Sequence, residues 1–383
     1  MRFLHTADWH VGKTLVGRSR LDEQEQVSAE IVDIAKHERI DCVLMAGDIF
    51  DSPAPTVDAQ RVVCDALAEI AGAGMATVIV GGNHDHRRLA ALRKLAGRLK
   101  IFIRPGPGEG DEGGMISYPK NGEQAKIAML PWIPEFQIVD GRQILRPRNQ
   151  WNQVYSEHVA ARCSRLASGF AANTINILLA HLYVDGAEAT GSERPAHVAQ
   201  PFAVRPDQLP QAHYIALGHL HRPQEVPASS PCVYAGSPLQ LDFGERGQQK
   251  RVVIVDARAE SPASVESIPL VSGRKLRDVV TTIDQLPSVV GDAGADFLRV
   301  VVRARTRISG LAQQVSAALP NAVTVQQELA TVSAVLRPPL DLRNPRERFR
   351  QFVREQKNLV VSPEMLEAFD RLYHEAKHAA DEA

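Results

Sequence analysis

Five short polar clusters hold nearly all the side chains of this chain that could do chemistry. They are Asp8-Trp9-His10, Gly47-Asp48-Ile49-Phe50-Asp51, Gly82-Asn83-His84-Asp85, a single His181, and Gly218-His219-Leu220-His221. Asp8 and His10 alternate on an extended strand end, as do His219 and His221, so each pair can point to one side. Adding Asp48, Asn83 and His181 gives seven oxygen and nitrogen donors without a thiolate. One mononuclear site does not need seven; two cations about 3.5–4 Å apart with a shared carboxylate do. Mixed imidazole and carboxylate ligands suit Mn, Fe or Zn, and ligand softness does not choose among them. Two such cations favour displacement at phosphorus, because together they polarise phosphoryl oxygens and clamp an in-line geometry. His84, beside Asn83, can then touch the phosphate without holding metal, stabilising charge or protonating the leaving oxygen. Asp51 can orient His84 and keep it cationic. The blander readings make His84 a prop for neighbouring ligands and Asp51 a helix cap ahead of Pro53.

Each cluster directly follows an apolar run of strand length. Phe3–Ala7, Cys42–Ala46, Thr77–Val80 and Ile101–Ile103 read as buried strands, and Leu21–Glu38 and Val57–Ala71 carry apolar residues at helical spacing between them. That is βαβ logic, with parallel strands whose carboxyl ends gather at one edge. Lys126–Leu130, Ile175–Ala180, Ile215–Gly218, Val233–Ala235 and Val252–Asp256 add further strands, enough for two packed sheets. Residues Pro105–Gly114 form a Gly/Pro/acidic loop with no assigned role. Beyond residue 258 the spacing predicts a helix over Arg274–Leu286, a half-exposed strand at Phe297–Arg305, a helix at Leu311–Leu319 and a strand at Ala322–Gln326. Asn344-Pro345-Arg346-Glu347 and Ser362-Pro363-Glu364 read as the starts of two terminal helices. Their narrow apolar stripes predict a docking surface, the alternative being a cap packed on its own chain.

Bulk properties set limits. With 383 residues, 44% of them hydrophobic, the chain can build a sizeable core and more than one domain. A formal charge of −1 means that any nucleic-acid contact must come from local patches. Cys42, Cys64, Cys163 and Cys232 lie far apart and read as buried thiols of a reducing compartment. The start lacks a signal-peptide pattern and no apolar run approaches membrane-spanning length, so a cytoplasmic protein without membrane contact is expected. Ala7–Thr14 loosely mimics a phosphate-binding loop. Ala7 replaces its leading glycine, Gly17 interrupts the following helix and Asp8 would repel phosphate, so any ATPase must be another chain. His5 reads as a packed core histidine, and His86, His197 and His213 as surface or structural. Arg87-Arg88 are equally phosphate-gripping or a solvated helix start, while Lys13, Arg18 and Arg20 read as solvated.

The ordered set DxH, GDxxD, GNHD, H and GHxH resembles the calcineurin-like metallophosphoesterases. More finely, Leu4–Leu15 (LHTADWHVGKTL), Leu217–Pro223 (LGHLHRP) and Tyr234–Pro238 (YAGSP) resemble the nuclease subunits of SbcCD-type complexes. The likeness is strong over residues 1–260 and extends beyond them in layout only. It implies an α/β fold: a four-layer αββα sandwich over residues 1–260, a small α/β DNA-facing cap over 261–336 and a helical tail over 337–383. It implies one metal on Asp8, His10, Asp48 and His221 and a second on Asp48, Asn83, His181 and His219, with His84 acting on the phosphate and Asp51 as its partner. The implied cofactors are two divalent ions, expected to be Mn. The implied activity is double-strand exonuclease and single-strand or hairpin endonuclease action on DNA. The implied partner is an SbcC-type ATPase docked on the tail, in DNA end processing, repair and recombination. A homodimer would let two subunits span both strands, though no residue pattern demands it. The rival readings are a small-nucleotide phosphodiesterase with the same ligands and a metal-binding scaffold that has lost catalysis.

Overall fold

A computed structural model describes residues 1–108, 114–138, 148–193, 202–329, 345–357 and 361–381. Strands β1 (Arg2–Thr6), β2 (Cys42–Met45), β3 (Ala76–Val80) and β4 (Ile101–Arg104) run parallel in that order. A second sheet contains β5 (Met115–Lys120), β6 (Glu123–Leu130), β7 (Ile175–His181), β8 (Tyr214–Gly218), β9 (Gln224–Glu225) and β10 (Cys232–Tyr234), in the spatial order β5-β6-β7-β8-β10-β9. The chain then returns to the first sheet, where β11 (Arg251–Arg258) pairs antiparallel with β1 and β12 (Ser261–Pro269) with β11. That sheet therefore runs past residue 260.

The strands read as unbroken apolar runs because both faces are covered. In β1, Phe3 faces the core between the sheets while Leu4 faces helices; Leu44 and Val43 divide in the same way in β2. Phe3, Leu44 and Val78 meet Ile127, Ile177 and Ala216 between the sheets. On the far side of the first sheet, Leu4, Val43 and Ile79 pack with α1 (Leu21–His37), α2 (Val57–Gly72) and α3 (His86–Ala96). On the far side of the second sheet, Leu130 and Leu178 pack with Tyr155, Val159 and Cys163 of α4 (Arg148–Ala167). The layer order is αββα, as expected. Thr56 caps α2 by accepting from the Ala59 amide at 3.2 Å, so Asp51 does not serve as that cap.

A third, three-stranded sheet follows, made of β13 (Leu276–Thr281), β14 (Phe297–Ala304) and β15 (Ala322–Leu329), with α5 (Leu286–Ala293) and α6 (Leu311–Ala318). The expected helix over 274–286 is instead β13, parallel to β14. The three-residue spacing of Leu276 and Val279 imitates a helix, but the β-branched run Val279-Val280-Thr281 favours a pleated strand, and β14 supplies its partner. This layer is seated by a cluster of Leu15, Phe243, Leu276 and Phe297. Arg20 joins that seating instead of standing in solvent, while Arg18 is exposed, as expected, and reaches the layer through its guanidinium. Arg18 donates to the carbonyls of Pro320 (2.8 Å) and Ala322 (3.0 Å). Buried Arg20 forks onto Glu23, bonds the Gln240 carbonyl and lies over the Phe297 ring.

The terminal helices α7 (Pro345–Lys357) and α8 (Pro363–Asp381) belong to a second compact unit. Phe349 stacks on Phe369 with ring centres 4.4 Å apart, and Arg346 pairs with Asp370 at 2.6 Å. Val353 and Leu366 are buried, while Phe352, Leu372 and Tyr373 remain exposed. Ser362 caps α8 through the Met365 amide at 3.4 Å, and Asn344 lies outside the described residues.

Candidate metal centre

The loops that leave β1, β2, β3, β7 and β8 at their carboxyl ends meet between the two sheets. Contrary to the expectation from sequence, Asp8 and His10 do not alternate on an extended strand end. Both sit in the left-handed region, with φ of 53° and 46°. Their amides donate to the carbonyls of Gly47 (3.0 Å) and Asp48 (2.9 Å), which locks the first loop onto the second. Asp48 (φ 49°) and His219 (φ 105°) are also at positive φ. Non-glycine residues held this way cost roughly 1–3 kcal/mol each and persist where the surroundings over-determine them. Two glycines make room for the approach. A Cβ on Gly82 would lie 2.0 Å from Asp48 Oδ1, and one on Gly47 would lie 2.3 Å from His181 Nδ1.

All nine residues singled out in the sequence lie in this one cluster. His10 Nε2 and His221 Nε2 are 3.1 Å apart. Asp48 Oδ2 lies 3.6 Å from His10 Nε2 and 3.5 Å from His181 Nε2, between the two halves of the cluster. Asn83 Oδ1 is 3.1 Å from His181 Nε2 and 3.3 Å from His219 Nδ1. The His219 amide donates to both Asp8 oxygens, at 3.0 and 3.1 Å, and the His84 amide donates to Asp48 Oδ1 at 2.9 Å. His84 Nδ1 meets the backbone carbonyl of Asp51 at 2.8 Å, leaving Nε2 toward the centre, 4.0 Å from Asp48 Oδ2. The Asp51 carboxylate lies nearer His10 Nδ1 (3.1 Å) and Lys13 Nζ (3.3 Å) than His84 Nδ1 (3.8 Å).

The cluster fits a divalent cation on its own geometry. His10 Nδ1 faces Asp51, and His221 Nδ1 faces Glu245 at 3.1 Å, so each carries its proton on Nδ1. Their Nε2 atoms face one another at 3.1 Å; Glu245 raises His221 against burial, so a further proton between the two rings holds the place that a cation would take. Burial pushes Asp8 up to about 7, with Asp48 adding to it against the pull of His181 and His221. Burial likewise lifts Asp85 to about 7, again with help from Asp48. Burial opposes charge on Asp48 as well, but His181, His10 and His84 hold it well below the usual carboxylate range. Burial draws His10 down to about 4 and His219 well below the ordinary imidazole value. On His181 the same burial is outweighed by Asp48 and Asp8, which raise it to about 9. Crowded carboxylates, two imidazoles kept neutral and a third that holds a proton between carboxylates make a donor set that a divalent ion would balance. Buried groups such as Asp8, His10 and His221, or Asp8, Asp48 and His181, bring donor atoms close enough to hold a divalent ion.

Several supporting residues escaped the sequence reading. Asp85 accepts from the amides of Ile49 (2.6 Å) and Gly82 (3.0 Å), tying the second loop to the third. Gln24 accepts from the Gly12 amide at 2.9 Å and donates to the His10 and Lys13 carbonyls. Trp132 stacks on His219 with ring centres 4.8 Å apart. Trp132 follows β6 at the same sheet edge, a signal that was readable. Glu245, close to the third sheet's seat, gave none. Outside the centre, His5 is a core residue bonded to Tyr214 at 2.9 Å, and Arg88 bonds Gln60 on α2. His213 bonds the Asn176 amide. The side chains of His86 and Arg87, and residue His197, lie outside the described set. Cys42, Cys163 and Cys232 are buried, but Cys64 is exposed because it lies on the outer face of α2. No helix among the described residues is long and apolar enough to cross a membrane.

The family model for calcineurin-like phosphoesterases matches residues 1–223, a span that contains all nine residues of the cluster. The SbcD nuclease of the Bacillus subtilis SbcCD complex is 37% identical over 280 residues, covering 72% of this chain and 71% of its own. The protein of that name from Rhodobacter capsulatus is 31% identical over 345 residues, covering 83% and 84%. The one from Staphylococcus epidermidis is 27% identical over 281 residues, covering 72% and 71%. With the strand-end donors assembled as above and likeness of this extent on both counts, this metal-dependent phosphodiesterase belongs to the calcineurin-like phosphoesterases and, among them, to the SbcD nucleases.

Proposed function

We propose that the chain is a Mn-dependent DNA nuclease that works with an SbcC-type ATPase in the cytoplasm. It would cut duplex ends exonucleolytically and single strands or hairpins endonucleolytically, in DNA repair and recombination. The observation that carries the two-metal reading is the Asp48 carboxylate, whose Oδ2 lies 3.6 and 3.5 Å from His10 and His181. Asp8, His10, Asp48 and His221 would hold one ion, and Asp48, Asn83, His181 and His219 the other. Bound there, the pair supplies Lewis acidity and an activated water for attack on phosphorus. The chain's own contribution is to orient and to move protons. The Asp51 carbonyl accepts from His84 Nδ1–H, so Nε2 is the ring atom that would face a phosphate oxygen or the leaving alkoxide. The Asp51 carboxylate fixes the ring of His10, with Lys13 beside it. Trp132 braces His219 and limits its rotation.

The partner reading is supported by the relatives' names and by the apolar residues left exposed on α7 and α8. Phe352, Leu372 and Tyr373 would cover an apolar surface of the ATPase, and a chain ending at residue 340 should no longer co-purify with it. The activity is tested with labelled duplex and hairpin DNA, with Mn or chelator, with and without the ATPase and ATP. Cleavage that needs Mn supports the proposal. Rapid hydrolysis of a small phosphodiester with DNA left intact would instead favour the small-nucleotide reading. Full metal occupancy with neither substrate cut would favour the silent scaffold.

A further inference from the structure

His221 Nε2 meets His10 Nε2 at 3.1 Å across the centre, and the other polar atoms of His221 bond residues behind it. Its amide donates to Glu193 Oε1 at 3.1 Å. Its carbonyl accepts from Lys250 Nζ at 2.9 Å and from the Ser237 amide at 3.1 Å. Its Nδ1 lies 2.7 Å from Ser192 Oγ and 3.1 Å from Glu245 Oε1. Glu245 is itself fully buried, and both of its oxygens are engaged. Oε1 accepts from Ser192 Oγ at 2.6 Å. Oε2 accepts from Lys250 Nζ (2.6 Å), Ser237 Oγ (3.0 Å) and the Leu241 amide (3.1 Å).

The proton count follows from these contacts. A buried carboxylate paired with Lys250 can only accept, so Ser192 gives its single hydroxyl proton to Glu245. The Ser192 oxygen can then only accept from His221. Both neighbours of Nδ1 are acceptors, so Nδ1 carries a proton and the ring has only Nε2, which faces His10 Nε2, to offer a cation.

We propose that Glu245 is a positioning residue for the metal centre, acting through His221, with Ser192 as relay and Lys250 as counter-charge. The inference rests on His221 being a metal ligand. Carboxylates behind ligating imidazoles fix the tautomer and the ring direction, and losing one weakens metal affinity about 10- to 100-fold. The effect should fall on the ion held by His221 and spare the other, because no Glu245 contact reaches Asn83, His181 or His219 among the described residues.

The test is Mn titration of the full chain by calorimetry, with free Mn counted by electron paramagnetic resonance, for wild type, His221→Ala, Glu245→Gln and Ser192→Ala. Wild type should bind two ions and His221→Ala should lose one. Glu245→Gln should keep two, one of them weakened about 10- to 100-fold, with cleavage recovered at high Mn. Ser192→Ala leaves the Glu245–Lys250 pair intact and should weaken the same ion by less. Two ions bound as tightly in His221→Ala as in wild type would remove the ligand assignment itself. A weakened His221→Ala beside an unshifted Glu245→Gln would leave the ligand in place and overturn the positioning role. If Glu245→Gln does not fold, an unshifted Ser192→Ala overturns it in the same way.

Discussion

His84 and His181 lie a few ångströms from the same carboxylate, and their surroundings give them different work. The His84 ring is held by a backbone carbonyl and presents Nε2 toward the centre. His84→Asn or His84→Leu should keep both metals by elemental analysis while turnover falls about 10²- to 10⁴-fold. Lost metal in those variants would make His84 a ligand instead. His181 is raised to about 9, against burial, by Asp48 and Asp8. A raised folded value adds stability that is complete below the free-histidine value of 6.5 and is lost as pH climbs through about 9. The metal-free protein should therefore lose stability between those values. A cation must displace the Nε2 proton, so Mn affinity should rise across the same window. Calorimetry in buffers of different ionisation enthalpy would count the released proton, and a pH-independent affinity would contradict the assignment. At Gly82 a methyl group would meet Asp48 Oδ1 at 2.0 Å. Gly82→Ala should displace that carboxylate and lower bound metal without unfolding the sheets, as metal content alongside circular dichroism would show.

At the level of elements, what was legible was what local pattern dictates. β1, β2 and β3 announced themselves because strands covered on both faces must be apolar throughout. The polar residues at their ends then had nowhere to gather but the sheet edge. β5 and β12 were missed because they are edge strands with polar, partly exposed sequences such as Ser261–Pro269. β13 was misread because Leu276 and Val279 carry a helical spacing that only pairing with β14 overrules. Left-handed backbone at Asp8, His10 and Asp48 could not be read either, since it is imposed by amides bonding the neighbouring loop. Glu245 and Asp85 depend on contacts between distant segments, which no spacing encodes. Arg20 is the same kind of case. It is buried, forked onto Glu23 and bonded to Gln240 beside the third sheet. Arg20→Ala would leave the buried Glu23 carboxylate with Arg274 alone and should destabilise by about 1–3 kcal/mol, measurable by denaturant titration. A loss under about 1 kcal/mol would return Arg20 to the class of weak surface pairs.

Over the whole molecule, the proposed metal ligands come from both stacked sheets, so ion binding and the packing of the sheets should share one free energy. Mn at a hundred times its dissociation constant should add about 2.7 kcal/mol for each site. It should raise the main unfolding transition, and a calorimetric scan with and without chelator checks this. A transition that ignores the ions would mean that the loops close independently of the sheets. The Asp8 carboxylate and the His219 amide that bonds it are 211 residues apart in the chain. A ribosome has therefore exposed the first half of the centre long before the second half exists. A nascent or prematurely terminated polypeptide holds Asp8, His10 and Asp48 but lacks the pair that completes them. Hydrolytic competence must wait for residue 221 of the 383, so fragments that stop short of it should be harmless to the nucleic acid around them.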